Sequence, residues 1–488
     1  RITYKLLYNG TVAMTGGQPM DGPMSVERMT RQLSAEGVAR IAVVTDEPHK
    51  YPLNKSFAAG VTIHHRDDLD AVQRDIRNWE GVSAIVYDQV CATEKRRRRK
   101  RGLMEDPGWR VIINPDVCEG CGDCGATSNC LSISPLATEF GRKRTIDQSS
   151  CNMDYSCING FCPSFVLVKG GHLRKRDATG AADMLSAALP EPERPTGSAP
   201  YGILITGVGG MGIVTLAALL GMAARLEGKG ATVLDKAGLA QKYGAVTSHV
   251  RIAEKPEDLH AVRIATGGAD LLLGADLVVA ASAEVTARLK PGKSRAVVNA
   301  QQSMTGNFTR SPDLAFPTEQ VHAAITDAAG LEAVEFIEAT RMATALIGDA
   351  IATNVFMLGF AYQRGLIPLS SAAIEQAIAL NGVAVDNNSR AFRWGRAAAH
   401  DAGAVSEAVG SAAIETPQKT SETLDELVER RVTDLTAYQN EAYGKRYREL
   451  VDKVRRAAAR IAPESDRLTD AAARGWHKLL AYKDEYEV

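Results

Sequence analysis

Apolar positions fall into short β-rich runs separated by segments of helical spacing. Ile41–Thr45 and Ala84–Tyr87 are two such runs, and Leu69–Trp79 between them repeats apolar residues at helical intervals. Strand, helix and strand in succession predict an α/β unit on a parallel sheet. The pattern returns further on. Gly202–Thr206 reads as a strand, a glycine-rich turn follows, a helix-like run extends to Leu226, and Ala231–Leu234 reads as a second strand. Ala343–Tyr362 is the strongest candidate for a membrane span, but Asp349 and Asn354 interrupt it, so it predicts a buried helix. Gly180–Ala199, with several Pro and Gly, reads as a linker. From about Pro417 the chain is helical and charged. Thr423 and Glu426 are spaced as a capping box, and Leu424, Leu427, Val428, Val432 and Leu435 mark one apolar face that must pack on something.

Composition narrows the classes. At roughly 100–200 residues per domain, 488 residues imply about three or four domains. The balance of 57 Lys+Arg against 58 Asp+Glu excludes the net basic field that grips nucleic acid. A 45% hydrophobic content excludes global disorder. Arg1–Gly10 has no apolar core followed by a small-residue cleavage site, so a cytoplasmic protein without a membrane partner is expected. The basic run Lys95–Arg101 reads as a solvated loop between domains, with a docking patch for an acidic protein as the sharper alternative.

Cysteine usage changes the picture most. Seven of the eight cysteines lie between Cys118 and Cys162, which reads as a metal site and not as a disulfide framework. Cys91, alone outside, reads as a small buried hydrophobe. The first run is Cys118-Glu-Gly-Cys121-Gly-Asp-Cys124, followed after five residues by Cys130. The second is Cys151-Asn-Met-Asp154-Tyr-Ser-Cys157, followed after four residues by Cys162-Pro163. A closely spaced trio with a distant Cys-Pro is the pattern of two-cluster bacterial ferredoxins, in which the fourth Cys ligates the other cluster. The tight spacing lets one loop aim several thiolates at one cubane, and the small glycines let its backbone curl around it.

The crossed rule assigns Cys118, Cys121, Cys124 and Cys162 to a first [4Fe–4S] cluster. It leaves Cys130, Cys151 and Cys157 for a second, with Asp154 where the middle cysteine belongs. A carboxylate is a harder and weaker ligand than thiolate, so the second centre is either an Asp-ligated [4Fe–4S] or a [3Fe–4S] cluster. Zinc, which prefers two-plus-two spacing, is the alternative occupant.

The turn Gly207-Val-Gly209-Gly210-Met-Gly212 matches the dinucleotide fingerprint, and Asp235, 23 residues after Gly212, is spaced to take a ribose hydroxyl. The alternative is a loop that simply packs or that touches another phosphate ligand.

Three features together resemble the 2-oxoacid:ferredoxin oxidoreductases, most closely the long fused indolepyruvate-type form. The first is Leu7-Tyr-Asn9-Gly-Thr11-Val-Ala-Met-Thr15-Gly-Gly-Gln18-Pro19, similar to the tail of the family's thiamine diphosphate motif, NDAVAMTGGQ. The second is the cysteine region. The third is Thr206–Gly212 with Leu234–Ile252, including Gly238-Leu-Ala-Gln241 and Gly244-Ala-Val-Thr-Ser-His-Val-Arg-Ile252, similar to the γ domain. The resemblance runs over nearly the whole chain.

It implies a multi-domain α/β architecture. Residues 1–109 would be the C-terminal part of a thiamine diphosphate-binding domain and 110–170 a small ferredoxin-like α+β iron–sulfur domain. Residues 171–199 would be a linker, 200–405 a Rossmann-like γ domain and 406–488 a helical tail. It also implies oxidative decarboxylation of a 2-oxoacid to an acyl-CoA, using thiamine diphosphate, Mg²⁺ and coenzyme A, with electrons leaving through the clusters to ferredoxin. Asn9, by its side-chain oxygen, and Thr11, by its carbonyl, are the implied Mg²⁺ ligands, and Thr15, Gly16, Gly17 and Gln18 would close over the cofactor.

Gly10 stands where that motif often has Asp, and Thr11 where it often has Ala. The family's upstream Gly-Asp-Gly and pyrimidine-gripping domain are absent from this sequence, which also begins without Met. A C-terminal portion of a larger polypeptide or complex is therefore expected, assembled as a homodimer and unable to decarboxylate alone. The resemblance moves Gly207, Gly209, Gly210 and Gly212 from a dinucleotide site to a structural or CoA-facing loop. Two alternatives remain: an electron-transfer subunit serving NAD(P) at that loop, and a zinc-stapled scaffold.

Overall fold

The computed structural model describes residues 1–12, 18–22, 24–51, 56–171, 189–197, 199–238, 244–412 and 423–481. Thr15, Gly16 and Gly17 of the thiamine-type motif, Gln241 of the γ motif and most of the linker lie outside the described residues. The chain is mixed α/β with a helical C-terminal region.

A short antiparallel pair, β2 (Thr11–Val12) and β3 (Gln18–Pro19), follows β1 (Ile2–Tyr8). With β4 (Arg40–Thr45), β5 (Thr62–His65) and β6 (Val82–Asp88), β1 forms a four-stranded parallel sheet in the order β1-β6-β4-β5. Alternation sends successive side chains to opposite faces. Val43 and Val86 meet α1 (Val26–Ala35) on one face, while Ala42, Val44 and Ile85 meet α2 (Leu69–Asn78) on the other. Both faces are covered, so β4 and β6 are apolar nearly throughout, as in buried parallel strands generally.

The basic run is not a solvated loop. It forms α3 (Ala92–Lys100), and the cations from Lys95 to Lys100 are engaged. Lys95 Nζ pairs with Asp46 (2.7 Å), Arg97 and Arg98 with buried Glu94, and Lys100 with Asp349 (2.7 Å). Arg96 and Arg99 donate to backbone carbonyls near the second cysteine run.

The cysteine region is built on two antiparallel pairs: β7 (Trp109–Ile113) with β10 (Phe165–Lys169), and the hairpin β8 (Ile133–Thr138) with β9 (Gly141–Ile146). One short helix, α4 (Asp123–Ser128), joins its two halves.

A six-stranded sheet follows, formed by β11 (Tyr201–Val208), β12 (Gly230–Ala237), β13 (Ala245–Ala253), β14 (Leu271–Gly274), β15 (Arg295–Asn299) and β16 (Val334–Ile337) in the order β12-β13-β11-β14-β15-β16. β11, β14, β15 and β16 run parallel, but β13 is inserted antiparallel between β11 and β12. The expected strand–helix–strand unit is present, yet its two strands are not neighbours. The linker end is pinned to this unit, since Glu191 accepts from Ser371 Oγ (3.1 Å) and Arg396 (2.9 Å).

The apolar stretch Ala343–Tyr362 is buried but is not one helix. Ala339–Ile347 and Thr353–Gln363 are separate helices, parted where Gly348 takes φ +86° and Asp349 caps the next turn by accepting from Ile351 N–H. Among the described residues no helix is long and apolar enough to cross a membrane.

The tail forms three helices, Leu424–Tyr438, Glu441–Ile461 and Arg467–Leu480, around their own core of Leu427, Val428, Leu435, Tyr447 and Val451. Thr423 and Glu426 close the capping box that their spacing predicts. The tail grips the tip of the β8–β9 hairpin. Buried Arg431 donates to Glu139 Oε1 (2.7 Å) and to Glu139 O (3.0 Å), and the Phe140 ring meets both the Arg431 guanidinium and the His477 ring.

Candidate functional site

The β7–β10 pairing decides where the first cysteines meet. Ile113 opposite Phe165, with Asn114 N–H donating to Ser164 O at 2.8 Å, returns Cys162 to the loop that carries Cys118, Cys121 and Cys124. These four thiols line one cavity of about 180 Å³, walled on its apolar side by Phe161 and Phe165. Burial pushes the Cys124 thiol up to about 11, reinforced by Cys118 and Cys121 against the Gly125 N–H. Cys121 is raised by burial too, with Asp123 N–H opposing and Cys162 among the groups reinforcing it. Cys121 and Cys124 thus favour the protonated form; a bound cation would displace their protons.

The other three cysteines form a second group. α4 leads from Cys124 to Asn129 in the left-handed region (φ +48°) and then to Cys130. Burial drives Cys157 up to about 12, and Cys130, Cys151 and Asp154 add repulsion. Cys151 is raised by burial, with Cys130 and Asp154 contributing and Arg110 opposing.

The two cysteine loops repeat one backbone. Two residues after their first cysteines, Gly120 and Met153 have φ +74° and +53°; four residues after, Gly122 and Tyr155 have +90° and +58°. Gly120 N–H points at Cys118 Sγ (3.3 Å), and Met153 N–H points at Cys151 Sγ (3.4 Å). Cys121 receives the Asp123 N–H, and Asp154 Oδ1 receives the Ser156 N–H at 3.4 Å. Asp154 therefore occupies the Cys121 position of the second loop. Among the described residues no three Cys, His, Asp or Glu side chains converge on a single-ion site. The first four thiols ring a cavity instead of meeting at a point.

The second loop is held from outside by arginines. Arg96 donates to Ser150 O (2.6 Å), Arg99 to Asn152 O (2.8 Å), and Arg110 to Met153 Sδ. Opposite lies the glycine turn: Gly209–Met211 share a small cavity of about 40 Å³ with Cys130, Asp154 and Arg96. That turn is braced internally. Gly209 N–H donates to Gly244 O (2.8 Å), buried Asn354 donates to Met211 O, and a Cβ on Gly207 would lie 2.5 Å from Ile213 Cδ1. Gly212 caps the helix Ile213–Leu226 at φ +84°. Asp235, the expected ribose acceptor, lies on β12 beyond β13 and accepts from Ser248 Oγ.

Asn9 and Thr11 sit where β1 ends, on the carboxyl side of the parallel sheet, where such sheets bind ligands. Asn9 Oδ1 accepts from Thr11 N–H (3.1 Å), and Thr11 Oγ1 is buried with no hydrogen-bond partner among the described residues. Gln18 lies on β3, opposite Val12. Sequence reasoning missed the neighbouring Asp88, buried at the end of β6, which pairs with Lys50 (2.7 Å) and accepts from Tyr51 OH. Burial, then Asp88, raises the Tyr51 phenol. The available signal was a carboxylate closing an otherwise apolar strand. Cys91 is half-buried at the start of α3, apart from both thiol groups.

Residues 202–398 match the family model described as pyruvate ferredoxin/flavodoxin oxidoreductase, and residues 424–488 match a family of unknown function, DUF6537. An indolepyruvate oxidoreductase subunit IorB from Thermococcus kodakarensis is 32% identical over 209 residues, covering 41% of this chain and 96% of that protein. Its Pyrococcus horikoshii counterpart is 32% identical over 208 residues, with the same coverage. Among solved structures, the keto/oxoacid ferredoxin oxidoreductase γ subunit from Geobacter sulfurreducens aligns at 21% identity with a TM-score of 0.29, over 41% of this chain and 98% of that one.

Proposed function

Because the chain belongs to the 2-oxoacid:ferredoxin oxidoreductase family, we propose that it takes part in oxidising indolepyruvate or a related arylpyruvate to its acyl-CoA, carrying the electrons to ferredoxin in the cytoplasm. The observation that carries this reading is the four-thiol cavity of about 180 Å³ together with the second loop that repeats its backbone.

The donor set suits iron–sulfur clusters. Cys118, Cys121, Cys124 and Cys162 would hold the first; Cys130, Cys151, Cys157 and Asp154 would hold the second. When bound, such clusters accept and pass on single electrons. The chain's own part is to aim the thiols, exclude water and supply N–H groups: Gly120 and Asp123 N–H to the first set, Met153 N–H to the second. α4 ties the sets together, so electrons would cross a single short helix.

At the carboxyl end of β1, Asn9 and the buried Thr11 hydroxyl, which has no partner among the described residues, suit a hard-cation and diphosphate site. Together with Thr15, Gly16, Gly17 and Gln18 they would hold Mg²⁺ and thiamine diphosphate, which supplies the carbanion chemistry of 2-oxoacid decarboxylation. The glycine turn Gly207–Gly212 would serve as a structural, CoA-facing loop. The subunit names of the relatives support assembly with other chains; in this reading one of them grips the pyrimidine ring and the enzyme is a homodimer. In this reading 1–109, 110–170, 200–405 and 406–488 are the thiamine-type, iron–sulfur, γ and tail domains.

The test is anaerobic purification with iron and sulfide analysis, and EPR before and after dithionite, on wild type and Asp154→Cys. At four irons per cubane, about eight irons or about seven are expected. The lower value should come with an oxidised [3Fe–4S] signal that Asp154→Cys converts. Zinc without iron would overturn the proposal.

A further inference from the structure

Among the described residues, two arginines on β9 have no carboxylate partner. Arg142 and Arg144, two residues apart, leave the strand on the same face. Arg144 is 2% exposed. Its guanidinium donates to Lys143 O (3.1 Å) and Pro312 O (2.8 Å) and lies 4.8 Å from the centre of the Phe308 ring. Arg142 donates to the same Pro312 O (3.4 Å) and to Leu314 O (2.8 Å), and approaches the same ring at 5.2 Å. Every acceptor named is a neutral carbonyl. Two like charges thus share one aromatic ring and one carbonyl, with the inner guanidinium out of water. Buried charges are otherwise paired or coordinated, because desolvation without a counter-ion is costly.

The remaining neighbour of Arg144 is the four-thiol cavity, which it lines beside Cys118, Cys121, Cys124 and Cys162. Contact with the loop is close: a Cβ on Gly122 would lie 3.6 Å from Arg144 Nη2. Burial, followed by Arg142, lowers the Arg144 pKa, while Cys124, Cys118 and Cys121 hold it up. A guanidinium remains charged in such a setting.

We propose that Arg144 is the built-in counter-ion of the group held by Cys118, Cys121, Cys124 and Cys162, and that it raises that group's reduction potential. The inference rests on the iron–sulfur reading above. An all-cysteine cluster is anionic, and reduction adds a further negative charge. A fixed cation in the wall of the cavity therefore stabilises the reduced form more than the oxidised one. Pro312 and Phe308 of the following unit fix the Arg144 guanidinium in the cavity wall.

The test uses the full chain, purified anaerobically, as wild type, Arg144→Lys, Arg144→Gln and Arg144→Met. Iron and sulfide are counted, and each reduced EPR signal is followed through a redox titration. Arg144→Gln should retain its iron. One midpoint should fall by at least a tenfold change in the reduction equilibrium, 59 mV for one electron. The other midpoint should stay in place, and Arg144→Lys should return most of the shift. Unchanged midpoints at full iron content overturn the proposal. If Gln and Met lose iron while Lys keeps it, the counter-ion role is supported. If Lys loses iron as well, shape and not charge is responsible, and the proposal fails. A wild-type chain without iron overturns the underlying cluster reading, and is seen before any variant is compared.

Discussion

Gly120→Ala separates backbone strain from steric clash in the first cysteine loop. Gly120 has φ +74°, and a Cβ there would lie 2.2 Å from Arg142 O on β9. The left-handed conformation alone costs a non-glycine residue about 1–2 kcal/mol. Ordinary contact begins near 3.4 Å, so the Arg142 carbonyl would have to retreat by about 1.2 Å. It sits on a paired strand whose neighbour, Arg144, lines the thiol cavity, so movement is costly; overpacking of this kind adds about 1–3 kcal/mol. The total is about 2–5 kcal/mol, concentrated on the loop that carries three of the four thiols. Gly141→Ala is the matched control: its φ is +102°, but nothing lies within 4 Å of its Cβ position. It should lose only the conformational part, about 1–2 kcal/mol. The assay is iron per chain after anaerobic reconstitution, with denaturant unfolding alongside. Gly120→Ala should hold about half the wild-type iron, since one of two clusters would be lost, and Gly141→Ala should hold all of it. Full iron in Gly120→Ala, with the same unfolding midpoint as Gly141→Ala, would refute the reasoning.

Two further outcomes concern packing and titration. Arg431→Ala removes one partner of a buried pair, a loss of about 3–5 kcal/mol, reduced here because Arg430 remains 3.8 Å from Glu139. Limited proteolysis should become faster in the tail helices, and a rate equal to wild type would show that the hairpin tip is not the tail's anchor. His249 is 3% exposed and accepts from Ile264 N–H, and burial, aided by Arg288 and Arg263, lowers its pKa below the usual 6.5. The folded state therefore prefers the neutral ring. Stability is whole above pH 6.5 and falls as pH drops from there through the lower folded value. His249→Asn keeps an acceptor but does not titrate, so its melting temperature should vary less than that of wild type below pH 6.5. Parallel curves would remove His249 as the cause.

The cysteine grouping was legible in the chain because thiol spacing is a local property. Two residues between thiols, small residues between them and a returning Cys-Pro describe one loop and its partner, and the place of Asp154 in the second loop follows from the same spacing. The buried strands and the capping box were legible for the same reason: periodicity and caps act over a few residues. Contacts between distant segments were not. The basic run read as a solvated loop because its partners are remote; Ser150 and Asn152 lie 54 and 53 residues away, and Asp349 lies 249 away. The glycine fingerprint described a turn and a helix start faithfully, but not that β13 would enter between β11 and β12 and move Asp235 off the loop. Arg142 and Arg144 showed as alternate positions of a strand. Only the fold set that face against the thiol cavity on one side and Phe308 on the other. The reason is physical: backbone conformation answers to neighbours in sequence, whereas the field around a buried charge is made by whatever the chain brings near it.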